Sequence, residues 1–292
     1  MNTQRVLLLL AQKKNRRLLS DWLTNQGHQV LAADATAAAL ATDFDLAIVD
    51  GPMLDRHRQA IQDRRKMELP VFLPVLFVTA HKEVRLITRH LWITVDELIY
   101  VPVERLELLA RVKILLRMRA LSLEVEHLAI TDPLTELFNR RHLFNIGERE
   151  FARARRQGLP LSCIMADIDH FKSVNDQYGH EVGDEVLCSI AQRLQSVLRE
   201  VDVLARYGGE EFVALLPDTP GQEALEVAER LRHTITDVPV TTSAGAIQIR
   251  ISLGVAQLSP EMNGLDDLIN AADMALYSAK REGRDRSYLR PE

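Results

Sequence analysis

At 292 residues, with 47% hydrophobic and 26% charged side chains, the chain has the composition of globular protein and the length for two domains. Its net charge of −5 argues against a general nucleic-acid binder, which needs a basic surface to displace counterions from phosphates. Two cysteines without metal-ligand spacing, Cys163 and Cys188, read as core thiols of a reducing compartment. No apolar run approaches the ~18 residues of a membrane span, and the first residues lack a leader pattern, so a cytoplasmic location without membrane insertion is expected.

Residues 5–105 alternate short apolar runs with amphipathic segments. Strands are predicted at 6–11, 29–33, 45–50, 71–79 and 98–101, and this alternation predicts an α/β, flavodoxin-like domain over residues 1–105. Residues 104–129 contain no turn signal, and Ile114, Met118, Leu121, Val125 and Leu128 recur at spacings of four, three, four and three. That is a heptad-like stripe on one long helix, taken as a linker over 106–130; it suits a helix-to-helix contact or an amphipathic helix lying on its own domain. Thr131-Asp132-Pro133 ends it, with Asp132 read as the N-cap of the next helix and Pro133 at its first position. Beyond it, strands at 161–169, 203–207, 211–216 and 247–256 and helices near 134–157, 184–200, 222–236 and 265–281 predict an α+β domain with an antiparallel sheet over 131–292.

The chemistry concentrates in this second half. Gly208-Gly209 between two strand-like runs reads as a hairpin tip, followed by adjacent carboxylates Glu210 and Glu211. Neighbours on a strand point to opposite faces, so only one of the two faces any given site. The apolar run from Cys163 ends in Asp167 and Asp169, spaced by two and so predicted on one face; such a pair repels itself without a cation, and Mg²⁺ suits oxygen-only donors. In the polar run 171–184, Asn175 and Asp184 have the acceptors and donors to read a guanine edge, and Lys172 offers a compact charge to phosphate.

Five segments together resemble, in order and spacing, the successive motifs of the GGDEF family of diguanylate cyclases. They are Asp132-Pro-Leu-Thr135-Glu-Leu-Phe-Asn139-Arg140, the run 167–184, Arg206-Tyr-Gly-Gly-Glu-Glu-Phe212, Ile251-Ser-Leu-Gly254, and Ala272-Asp273 through Lys280 to Arg284. The resemblance spans residues 128–289 and implies a fold like the palm of nucleotide cyclases and polymerases. It implies condensation of two GTP into cyclic di-GMP with release of two pyrophosphates, by two domains facing each other in a homodimer. It further implies that Asp167, the Ile168 carbonyl and Glu210 hold Mg²⁺ (or Mn²⁺), with Glu211 a second carboxylate nearby and Glu210 a base for the 3′-hydroxyl. Asn175 and Asp184 would read guanine, with Phe171, His180 and Leu187 in the substrate pocket and Lys172, Lys280 and Arg284 neutralising phosphates. Arg199 and Asp202 match the spacing of the family's inhibitory product site, with Arg230 a further contact; the plainer reading is an i,i+3 ion pair at a helix end. Glu136 departs from the family's usual glycine, and Glu210 from its aspartate. A catalytically silent cyclic di-GMP receptor is the alternative, against which the complete site set counts.

The first half resembles response-regulator receiver domains at Asp50 (phosphoacceptor), Thr79 (switch residue) and Val101-Pro102. It departs at Ala11-Gln12-Lys13-Lys14, where receivers carry metal-binding acids, and at Val101, where they carry lysine. Without those groups an acyl phosphate lacks its metal and its cation. A degenerate receiver is expected, serving dimerisation or docking of a protein partner, with Asp50 a vestigial phosphoacceptor.

Overall fold

Apolar runs at the start of the chain form a five-stranded sheet that is parallel throughout. The computed structural model describes residues 3–31, 37–80 and 93–291, and the chain divides into two units, Met1–His127 and Leu128–Glu292. In the first, β1 (Arg5–Leu9), α1 (Lys13–Asn25), β2 (Gln29–Leu31), a 3₁₀ turn (Ala37–Ala41), β3 (Leu46–Asp50), α2 (Gly51–Glu68), β4 (Val75–Thr79), β5 (Glu97–Tyr100) and α3 (Arg105–Ile130) follow in order. The strand order β2-β1-β3-β4-β5 is that of doubly wound sheets, with its reversal point between β1 and β3. Val6 to Leu9 and Leu46 to Val49 are buried without alternation because both faces are covered: Leu7, Leu9, Ala47 and Val49 face one core, Val6, Leu8, Leu46 and Ile48 the other. β4 starts later than the predicted residue 71, since Pro74 has no N–H for the ladder and the Val71 and Phe72 N–H groups go to the Glu68 carbonyl and the Ser122 hydroxyl. The end of the strand predicted at 29–33 lies outside the described residues.

Helix α3 is more than a connector. Leu108, Val112, Leu115 and Leu116 are buried against the first sheet, and Arg119 pairs with Glu68 at 2.7 Å and donates to the Phe72 carbonyl at 3.1 Å. The predicted stripe occupies another side, where Ile114, Met118, Leu121, Val125 and Leu128 are 48–66% exposed.

The second unit contains β6 (Phe138–Asn139), α4 (Arg140–Gln157), β7 (Leu161–Ile168), α5 (Phe171–Tyr178), α6 (His180–Val197), β8 (Val203–Arg206), β9 (Glu211–Pro217), α7 (Gly221–Thr236), the hairpin β10 (Val240–Thr242) and β11 (Gly245–Ile247), β12 (Ile251–Gln257), α8 (Leu265–Arg281) and β13 (Ser287–Leu289). Its main sheet, β13-β12-β7-β9-β8-β6, is antiparallel at the centre and parallel at both edges, which corrects the antiparallel expectation. Alternation sends Ile164, Ala166 and Ile168 toward α6 and α7, and Cys163 and Met165 toward α4 and α8. Asp167 continues this second series.

Three local expectations change. Asp132 does not cap a helix: its carboxylate accepts from the Thr135 N–H (2.9 Å) and hydroxyl (2.8 Å) in a turn, and α4 begins only after Asn139, whose Oδ1 accepts from the His142 N–H at 2.9 Å. Glu136 in that turn has φ 60°, the left-handed region that glycine occupies without strain and a side chain occupies at a cost of about 1–2 kcal/mol. The polar run 171–184 holds a separate short helix, α5, and the strand predicted from residue 247 starts at Ile251, because Gly245–Ile247 pairs with β10 instead.

Candidate active site

The centre of the site follows from strand register. β7 and β9 run antiparallel with Asp167 directly opposite Glu211, so two carboxylates face each other on one side of the sheet. Like charges in that position destabilise a sheet unless a cation lies between them. The cation present is Lys280 at the end of α8, whose Nζ is 2.8 Å from Asp167 Oδ1. The Gly208-Gly209 turn brings Glu210 beside them, because β9 begins only at Glu211 and the alternation expected to part the two glutamates does not extend to Glu210: the Ile168 N–H donates to the Glu210 carbonyl at 3.4 Å, and the Tyr207 N–H to the Glu211 carbonyl at 2.8 Å. A Cβ on Gly208 would lie 2.6 Å from Glu211 Oε2, so glycine leaves room for that carboxylate to fold over the turn.

Crowding shows in proton affinity. Burial, then the neighbouring Asp169, raises the Asp167 pKa against the pull of Lys280. Burial, then Asp167, raises those of Glu210 and Glu211, with Asp273 of α8 adding to Glu211. The donor set is oxygen-only, anionic and partly buried, the chemistry that a divalent hard cation neutralises. As the side chains stand, no three of the described acidic groups share one coordinating point, and Lys280 occupies Asp167.

Asp169 is not a second free carboxylate. It lies in the turn after β7, where it accepts from the Ser252 hydroxyl (2.8 Å) and the Asp285 N–H (3.1 Å), with Arg284 Nε 3.9 Å away. The period of two ends where the strand ends, and Asp169 instead ties β12 to the loop after α8. Arg284 is thereby held near the cluster at its edge.

The guanine-reading candidates stand on the two helices after β7. Asn175 on α5 has its amide oxygen where a Cβ of Gly183 would be, so the close α5–α6 approach depends on glycine there. Asp184, Lys172 and His180 are exposed, whereas Phe171 and Leu187 are core residues beneath them. Asp202 Oδ2 accepts from the Arg199 backbone N–H at 2.8 Å, closing the turn after α6 and leaving the Arg199 side chain exposed; Arg230 is an exposed residue of α7. Cys163 is buried, and the Cys188 thiol donates to the Leu134 carbonyl at 3.1 Å.

One supporting residue had no assigned role in the sequence. Arg206 donates to the Gly209 carbonyl from Nε (3.2 Å) and Nη2 (2.8 Å), and its Nη1 meets Asp132 at 3.0 Å. Its position in the hairpin run was the available signal. Burial raises the Asp132 pKa, but bonds from Thr135 and Arg206 outweigh this, and its net shift is downward. Arg206→Ala is expected to lower stability by about 2 kcal/mol in urea unfolding at pH 7, losing charge-assisted bonds that are largely shielded. A carboxylate with a depressed folded pKa contributes above its unfolded value near 4 and loses that contribution as pH falls, so the gap between variant and parent should narrow by pH 3.

The model of the diguanylate cyclase GGDEF domain matches residues 129–286, more than half of the chain. The chain belongs to the GGDEF family. Response regulator PleD of Caulobacter vibrioides is 33% identical over 296 residues, covering 96% of this chain and 64% of PleD. A diguanylate cyclase of Vibrio cholerae is 42% identical over 163 residues, 56% of this chain and 50% of the relative, so this chain spans about half to two thirds of these relatives. The crystal structure of the coiled coil and GGDEF domain of DgcB from Caulobacter crescentus with c-di-GMP matches at 30% identity and a TM-score of 0.58, covering 63% of this chain and 97% of that one. The second unit is thus a GGDEF domain whose namesake turn is Gly208-Gly209-Glu210-Glu211-Phe212. Among the described residues no helix is long and apolar enough to cross a membrane.

Proposed function

We propose that the chain is a diguanylate cyclase working as a homodimer. The observation that carries this is the carboxylate cluster of Asp167, Glu210 and Glu211, with Lys280 beside it, at the namesake turn of a GGDEF domain. Asp167, the Ile168 carbonyl and Glu210 would hold Mg²⁺, or Mn²⁺ in its place, and the bound ion would supply charge neutralisation at the triphosphate.

The chain's own groups bind and align. Lys172, Arg284 and Lys280, exchanged from Asp167, take phosphate charge, while Asn175 and Asp184 read the guanine edge, flanked by His180 and backed by Phe171 and Leu187. The 3′-hydroxyl oxygen of one GTP attacks the α-phosphorus of the other; the new P–O bond forms as the bond to the β-phosphate breaks, and pyrophosphate leaves with the electron pair. Glu210 accepts the hydroxyl proton, and Glu211 adds negative charge beside it. One domain holds one GTP, so a second must face it, and positioning supplies much of the rate. GTP as substrate places the work in the cytoplasm. Product gripped by Arg199, Asp202 and Arg230 would act as feedback inhibitor.

The first unit reads as a degenerate receiver, residues 1–105, joined through 106–130 to the cyclase domain, 131–292. Its doubly wound sheet and the match to PleD over nearly the whole chain support this. The exposed stripe of α3 is its dimer contact. Leu121→Glu with Val125→Glu alters only exposed positions and should convert dimer to monomer by light scattering with unfolding unchanged; a dimer that persists counts against the stripe.

The direct test is incubation of nucleotide-stripped protein with GTP and Mg²⁺, followed by chromatography. Cyclic di-GMP with two pyrophosphates per product supports the cyclase; intact GTP with tight cyclic di-GMP binding would favour a silent receptor.

A further inference from the structure

At the C-terminal ends of β1 and β3 a cavity of about 610 Å³ opens between α1 and α3, entirely within the first unit. It lies where the strand order reverses, the place at which doubly wound sheets hold ligands, and its volume is that of small-molecule sites. Leu18, Leu19, Trp22, Val103 and Leu108 form its apolar wall.

Its polar side combines Asp50, the start of α1 and Arg105. Asp50 is already engaged: Oδ2 accepts from the Ala11 N–H at 2.7 Å and Oδ1 from the Met53 N–H at 3.2 Å, so its charge serves the end of β1 and the start of α2. The start of α1 has no such carboxylate. Gln12 turns its Oε1 to Asn15 Nδ2 at 2.9 Å, the first turn contains no acid, and Lys13 and Lys14 follow. Arg105, the first residue of α3, lines the same cavity. The start of α1, with no acid in its first turn, and the Arg105 guanidinium thus border an apolar chamber, whose one carboxylate among the described residues, Asp50, is engaged by the Ala11 and Met53 N–H groups.

We propose that this cavity binds a small apolar carboxylic acid, its body against Leu19, Trp22 and Leu108 and its carboxylate toward Arg105 and the first turn of α1. Receiver acids and lysine are replaced here by Ala11, Gln12 and Val101, which removes the chemistry of phosphotransfer and leaves the space for an organic ligand.

Titration calorimetry of the full chain tests this without reference to turnover, using 4-phenylbutyrate and indole-3-acetate as probes. Saturable binding of at least one, one per chain, is expected. Ala11→Phe, at an exposed position lining the cavity, should abolish it, and Arg105→Gln should weaken it roughly tenfold, the worth of one charge-assisted contact. Circular dichroism establishes that each variant is folded, and Arg105, exposed at a helix start, supplies the second check. The proposal is overturned by no saturable heat with either acid up to millimolar concentration, by unchanged affinity in folded Ala11→Phe, or by equal or tighter binding of 4-phenylbutylamine. Stoichiometric, Asp50-dependent labelling by acetyl phosphate would overturn it as well, by returning the centre to phosphotransfer.

Discussion

Asp167→Asn and Glu210→Ala should each lower cyclic di-GMP formation by roughly 10³-fold while leaving the protein folded, the scale expected when a preorganised electrostatic contact to a transferring phosphoryl group is lost. The stability half follows from the same crowding. The Asp167 carboxylate is buried, faces Glu211 across the ladder and has its pKa raised, so ionisation of this group works against the fold. That penalty is absent below the unfolded pKa near 4 and fully present above the raised folded value. Asparagine removes it, and Lys280, about a third exposed, can return to water. The melting temperature of Asp167→Asn should therefore equal or exceed that of the parent at pH 7 to 8 without metal, and the difference should close toward pH 4. A variant that loses activity and unfolds together would mean that Asp167 is chiefly structural.

Gly254→Ala should have the largest effect on stability. Gly254 sits in β12 between Met165 of β7 and Tyr288 of β13, and a Cβ there would fall on the backbone of α8, at Leu276 N and the Ala272 carbonyl oxygen. Backbone cannot rotate aside as a side chain can, so β12 and α8 must separate at a cost of about 3 kcal/mol or more. For a domain of this size that lowers the melting temperature by roughly 10 °C, measurable by calorimetry. Gly209 supplies the control: a Cβ there meets nothing within 4 Å, and Gly209→Ala should melt within a few degrees of the parent. Similar melting of the two variants would contradict the close helix–sheet packing.

Much of this arrangement was legible because hydrophobic period reports burial. The alternation of short apolar runs with amphipathic segments over residues 5–105 announced a sheet of doubly wound type, and the order of motifs from Asp132 to Arg284 announced the GGDEF domain. What period cannot report is a side chain's partner. Asp132 has the look of a helix cap, yet its carboxylate serves a turn and Arg206, which lies 74 positions away. Asp167 and Asp169 have the spacing of a pair, yet the strand ends between them, and Ser252 and the loop after α8 claim the second. Lys280 reads as a phosphate ligand in the motif, while in the folded chain it holds Asp167. Each of these contacts joins distant segments, and local pattern carries no signal for the meeting point.

The Arg206 clamp bears on where the GGDEF domain can be severed from what precedes it. Thr131 forms a bridge with Phe138, Asn139 reaches the carbonyls of Ala129 and Thr131, and Asp132 supplies the counter-charge for the guanidinium that grips the namesake turn. A shortened protein begun at Leu134 would retain Asp167, Glu210 and Glu211 and still leave that guanidinium with half of its partners, loosening a turn more than seventy residues downstream. The last residues of α3 thus belong, in mechanical terms, to the GGDEF domain, and an autonomous fragment of it has to begin before Ala129.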